Sequence, residues 1–152
     1  MTRTALTTAL VAALVTGILA ASAHAADTEV YVDYRQAVMS AVGGNASASA
    51  AILIDGAPFA GNLEEHARAI ERLTADIPAL FPEGTAHEDS DARPEVWEDR
   101  ATFEERAEAT HQAAAAFREA AAGGDPAQAM PYFRDLGQSC RACHDDFRVQ
   151  EE

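Results

Sequence analysis

Cys140-Arg141-Ala142-Cys143-His144-Asp145-Asp146-Phe147-Arg148 stands near the end of a 152-residue chain. Cys-x-x-Cys-His is the attachment sequence of c-type haem. On a helix, Cys140, Cys143 and His144 occupy i, i+3 and i+4 and point the same way. Two thiols can then bond the haem vinyl groups as thioethers while the imidazole reaches the iron. Phe147 and Arg148 continue the stripe at i+7 and i+8, setting a ring and a permanent positive charge beside the proximal face. Three other readings compete. These are the only two cysteines in the chain, so a disulfide is possible. A zinc site needs further ligands at spaced intervals, and no second Cys or His pair occurs. A thioredoxin-like motif needs a βαβ setting, and the chain has no strand pattern. Haem attachment is preferred, because the N-terminus fits it as well.

Met1 to Ala25 reads as a secretory signal. Arg3 is its only charge, Ala5 to Ala20 is rich in Ala, Leu and Val, and Ala23-His24-Ala25 suits a small-x-small cleavage site. An uncleaved anchor helix is the competing reading; the low Leu/Ile/Phe content and the cleavage site argue against it. Export to the periplasm agrees with haem attachment outside the bacterial cytoplasm. Cleavage before Ala26 leaves residues 26–152, enough for one core of four helices, with no membrane segment.

Asp and Glu number 25 against 11 Lys and Arg, giving a net charge of −14. There is no lysine; every base is arginine. Such a surface argues against nucleic acid and anionic membrane as partners. It keeps the protein soluble and could attract a basic redox partner, whose identity the sequence does not give.

Apolar spacing predicts four amphipathic helices and one long loop. The first runs from Ala26 to about Ile54, capped by Asp27 or Thr28, with Tyr31, Tyr34, Val38, Val42, Ile52 and Leu53 inward. Gly43-Gly44 interrupts it, at a bend or a close approach. The second runs from Asn62 to about Ile77, with Leu63, Ala67, Ile70, Leu73 and Thr74 inward. Pro78 to Ala101 forms the connection, from which Phe81 and Trp97 fold back on the core. The third helix spans about Val96 to Ala122, with Phe103, Ala107, Thr110, Ala114, Phe117 and Ala121 inward. Asp125-Pro126 opens the fourth. Its inner face carries Ala129, Met130, Phe133, Leu136, Gly137, Cys140, Cys143, His144 and Phe147. Gly137, one turn before Cys140, leaves room for a porphyrin.

Tyr34-Arg35-Gln36-Ala37-Val38-Met39 is the second informative stretch. Arg35 and Met39 are i, i+4 neighbours. A buried haem brings two propionates, for which arginine is a natural bidentate partner; Met39 then falls near the far side of the iron. The bland reading is a surface arginine and a core methionine. His66, His87 and His111 show no partner spacing.

The motif at 140–148, the stretch 34–39 and the loop elements Ala79-Leu-Phe-Pro-Glu-Gly-Thr85 and Asp91-Ala-Arg-Pro-Glu-Val-Trp97 together resemble the class II c-type cytochromes, the cytochrome c′ group in particular. The resemblance covers essentially residues 26–152. It implies an all-α, antiparallel four-helix bundle with a long loop between helices 2 and 3, binding one haem c through Cys140 and Cys143. It implies His144 as proximal iron ligand, Arg35 and Gln36 as haem contacts, Met39 as a distal cap, Asp91 as a contact at the haem edge and Arg148 as a neighbour of the proximal imidazole. It further implies a homodimer with five-coordinate, high-spin iron that takes NO and CO. An apolar distal face of Val38, Met39 and Val42 offers no hydrogen-bond donor to bound O₂, which disfavours that ligand. In low-spin relatives a methionine near this place ligates the iron instead, giving a six-coordinate electron-transfer protein. No acid/base pair or nucleophile stands out, so no enzymatic turnover is expected.

Overall fold

The computed structural model describes residues 28–150 in full and, before them, only the backbone of α1 (Arg3–Leu53). The side chains of the expected leader, residues 1–25 with Ala23-His24-Ala25, lie outside the described residues, so its cleavage site is untouched by the structure. α1 already runs through Asp27 and Thr28, so neither is a helix start. After α1 come α2 (Leu63–Thr74), a short α3 (Glu95–Glu98), α4 (Arg100–Ala122) and α5 (Pro126–Phe147). Among the described residues there is no strand, only an isolated antiparallel bridge between Ala92 and Arg148. No described helix is long and apolar enough to cross a membrane.

The fold is an antiparallel four-helix bundle. α4 packs against α5 and α2, and α2 packs against α1; α1 touches α5 at few places. The apolar stripes explain the packing. α4 buries Phe103, Ala107, Thr110, Ala114, Phe117 and Ala121, and α2 buries Leu63, Ala67, Ile70 and Thr74. The buried hydroxyls of Thr74 and Thr110 bond back to the carbonyls of Ile70 and Arg106 one turn earlier, so neither costs an unmet polar group.

α1 departs from expectation. Its inner face is Val32, Arg35, Val38, Ser49 and Ile52. Tyr31 and Tyr34 stand 43% and 61% exposed, one step off the buried stripe. Gly43 and Gly44 do not break the helix, and beyond its own nearby backbone no atom of the described residues lies within 4 Å of where a Cβ would sit.

The long connection is more structured than the expected loop. A 3-10 turn (Ile77–Leu80) follows α2. The predicted third helix is divided at Asp99, whose ψ of 56° lies outside the helical range. The break swings Arg100 back so that its guanidinium donates to the carbonyls of Pro78 and Phe81 at 2.8 and 2.9 Å, closing the end of that turn. At the other hairpin, Gly124 takes φ of +74°, which only glycine adopts without strain. Asp125 then caps α5 by accepting from the Ala127 amide at 2.9 Å, and Pro126 opens the helix.

Among the described residues most of the buried apolar side chains gather into two clusters. One joins Ile52, Leu63, Ala67, Ile70, Ala114, Phe117, Ala121, Ala129 and Leu136. The other joins Ile77, Phe81, Val96, Phe103, Ala107 and Phe147, with Phe103 set edge-on to both Phe81 and Phe147.

Candidate haem site

Both cysteines lie in the regular part of α5, half-buried and not joined to each other. They are divided between the two apolar clusters: Cys140 packs on the first and Cys143 on the second. Burial raises both thiols above the usual range, and nearby acids add to the shift at Cys143, which is pushed up to about 11. They therefore stand as neutral thiols at neutral pH. His144 lies on the exposed edge of the same helix, and its ring makes no hydrogen bond to the described residues. Burial of part of the ring, helped by the Arg148 charge and opposed by Asp145, holds its pKa below the ordinary imidazole value. The imidazole is thus neutral and uncommitted at neutral pH, the form in which it binds metal.

Across the bundle, Arg35 on α1 is 2% exposed. Its Nη atoms donate to the Thr85 hydroxyl (3.3 Å), the Thr85 carbonyl (3.0 Å) and the Ser90 hydroxyl (2.8 Å). Its cation lies 5.0 Å from the Phe81 ring centroid and 5.6 Å from that of Trp97. The turn Pro82-Glu83-Gly84-Thr85 delivers Thr85 to it, with Gly84 at φ +78°. Trp97 is pinned alongside by its indole N–H on the Pro82 carbonyl at 2.8 Å. Gln36 donates to the Asp89 carbonyl at 2.9 Å. Met39 is half-buried against the second cluster, the cluster that Cys143 also adjoins.

Asp91 and Arg148 are brought together, which their separate sequence readings did not anticipate. Arg148 donates to the Asp91 carboxylate at 3.3 Å. Around this pair, the Arg93 amide donates to the Phe147 carbonyl at 2.9 Å and the Val149 amide to the Asp91 carbonyl at 2.8 Å. Arg106 holds Asp146 at 3.0 Å. Ser90 carried no sequence signal, and Thr85 appeared only as the end of the loop element 79–85. His66 bonds Asn45 at 3.0 Å, away from the motif.

Arg35 Nε is buried with no partner among the described residues, leaving a donor available for a carboxylate. With unpaired thiols, a free imidazole and the sparse contact between α1 and α5, the residues fit a haem. Among the described residues no group of three or more His, Cys, Asp or Glu side chains could hold a metal ion. The sequence profile of the family described as Cytochrome C′ matches residues 30–148.

The chain belongs to the cytochrome c′ family.

This family binds c-type haem, and the cysteines at 140 and 143 are the pair that covalent attachment requires. Cytochrome c′ of Rhodospirillum rubrum is 33% identical over 141 residues, 92% of this chain and 96% of that one. Cytochrome c′ of Pararhodospirillum photometricum is 36% identical over 124 residues, 81% and 99% of the two chains. In structure, the nitric oxide complex of a mutant cytochrome c prime from Alcaligenes xylosoxidans matches with a TM-score of 0.75 at 30% identity, covering 82% of this chain and 97% of that one. A carbon monoxide-bound variant of the same cytochrome matches with a TM-score of 0.75 at 31% identity, covering 81% and 97%.

Proposed function

We propose that this cytochrome is exported to the periplasm, loses residues 1–25, and works as a five-coordinate, high-spin haem protein that binds NO and CO without enzymatic turnover. The observation that carries the reading is the uncommitted set on α5: two unjoined thiols at Cys140 and Cys143 and a free imidazole at His144. Relatives solved with nitric oxide and carbon monoxide support the choice of ligands.

When bound, haem supplies an iron that takes a diatomic ligand or an electron. Cys140 and Cys143 would hold it covalently from the two apolar clusters, and His144 would bind the iron. Arg35 directs its spare donor to a propionate, with Gln36 beside it. Val38, Met39 and Val42 would offer a ligand on the far side of the iron no hydrogen-bond donor, which would penalise O₂ more than NO. Arg148, paired with Asp91 at the end of α5, places a partly neutralised cation near the proximal side. Exposed Val30, Tyr31 and Tyr34 on α1 form an apolar strip suited to a second copy, giving a homodimer.

Met39 supports a second reading, because it is a thioether packed against the cluster that Cys143 shares. Ligation by Met39 would close the site and make a low-spin electron carrier. Absorption spectra of protein matured with c-haem attachment machinery decide the matter. We expect high-spin ferrous bands that shift on CO addition, with CO binding kept or quickened by Met39→Ala. A sharp low-spin spectrum indifferent to CO, with CO binding created by Met39→Ala, overturns the vacant-site reading in favour of ligation.

A further inference from the structure

Two adjacent residues of the long connection reach opposite sides of the site. Ser90 accepts from the buried Arg35 guanidinium of α1 at 2.8 Å. Its hydroxyl also accepts from the Ala92 amide at 3.2 Å, so the same oxygen that holds the arginine shapes the next turn of chain. Asp91 accepts from Arg148 through its carboxylate at 3.3 Å and from the Val149 amide through its carbonyl at 2.8 Å. Two residues on, the Arg93 amide donates to the Phe147 carbonyl at 2.9 Å. Arg148 in turn closes α5, its amide donating to the His144 carbonyl at 3.0 Å. A path therefore runs from Arg35 by hydrogen bond to Ser90, through the Ser90–Asp91 peptide bond, and by hydrogen bond from Asp91 to Arg148, whose own amide bonds the backbone of His144. Direct contact between α1 and α5 is sparse, so this segment is a principal bonded path between them.

We propose that Ser90 and Asp91 are positioning residues that tie the two haem-facing helices together, Ser90 fixing Arg35 and Asp91 fixing Arg148, so that freeing either arginine loosens the other. The bond from Arg35 to Ser90 involves a buried charge, so it is stronger than a neutral one. The Asp91–Arg148 pair is exposed and weak by itself; the two backbone bonds around it give that end its hold. Only the haem readout rests on the functional reading above; the link itself is a property of the polypeptide.

The test compares Ser90→Ala and Ser90→Thr with the parent chain, as haem-loaded protein, by amide hydrogen exchange resolved at Arg93 and Val149. Ser90→Ala changes no charge and touches neither amide. It should nonetheless speed exchange at both by about fivefold, the scale of one lost hydrogen bond. Ser90→Thr, which keeps the hydroxyl, should restore the parent rates. In the same samples the reduction potential should shift in Ser90→Ala and return in Ser90→Thr. Exchange at Arg93 and Val149 that stays at the parent rate in Ser90→Ala overturns the link, whatever the potential does. Protein that leaves a competent host without haem sinks the functional reading instead, and the amide rates on the bare chain then decide the link.

Discussion

Arg35 carries a permanent charge into a site that is almost closed to solvent, and it is tolerated because a distant loop supplies its acceptors. Replacing it with Gln leaves the Thr85 carbonyl and Ser90 hydroxyl without their cation and removes the stacking on Phe81 and Trp97. We expect Arg35→Gln to cost about 2 kcal/mol, read as a lowered urea midpoint with unchanged slope. At His144 the sign of the pH effect follows from its lowered pKa. The folded chain takes up this proton less readily than the unfolded chain, whose value is near 6.5. The stability involved is complete above that value and is lost as pH falls from there through the folded-state value. In haem-free protein, His144→Gln should therefore flatten the fall in urea midpoint between about pH 7.5 and about pH 5.5. The cysteine pair of the motif was legible from spacing alone, as were the buried positions of α4. Thr85 and Ser90 were not, because they meet Arg35 across fifty and fifty-five residues of chain and no local period marks them. The apolar spacing of Tyr31 and Tyr34 points inward, but a ring with a hydroxyl sits equally well at a wet surface.

Among the helices, α5 has the most to reconcile. It must fold as an ordinary amphipathic helix and also leave space along one side. Gly137 shows the conflict: it lies exposed in mid-helix, with nothing within 4 Å of where a Cβ would lie. Gly137→Ala should stabilise the haem-free chain by roughly 0.5–1 kcal/mol through helix propensity. If the porphyrin edge occupies that space, the same change should lower the yield of haem-loaded protein. Thermal melts of the bare chain and the Soret-to-protein absorbance ratio of exported protein check the two halves separately. The helix boundaries show where sequence patterning stops being informative. Asp125-Pro126 announces the start of α5 by its own chemistry, as cap and first helical residue. The break at Asp99 does not announce itself, because it serves Arg100 and the carbonyls of a turn some twenty residues earlier, which no propensity at Asp99 encodes.

At the scale of the molecule, the surface charge and the divided interior matter most. With a net charge of −14, the folded chain repels itself, and added salt screens that repulsion. The thermal midpoint of the haem-free protein should rise when sodium chloride is raised from about 0.02 M to about 0.5 M; a flat or falling midpoint counts against self-repulsion as a governing term. The bundle class was readable from four apolar stripes and the turns between them, whereas the assignment of side chains to two clusters was not, because it depends on how the helices meet rather than on any one stripe. Cys140 rests on one cluster and Cys143 on the other. A rigid group bonded to both sulfurs therefore acts as a rivet across the seam. Without it, each half can melt on its own schedule, and calorimetry of the bare polypeptide should show a broad or doubled endotherm. With it, the halves must let go together, and the endotherm should sharpen into a single cooperative peak.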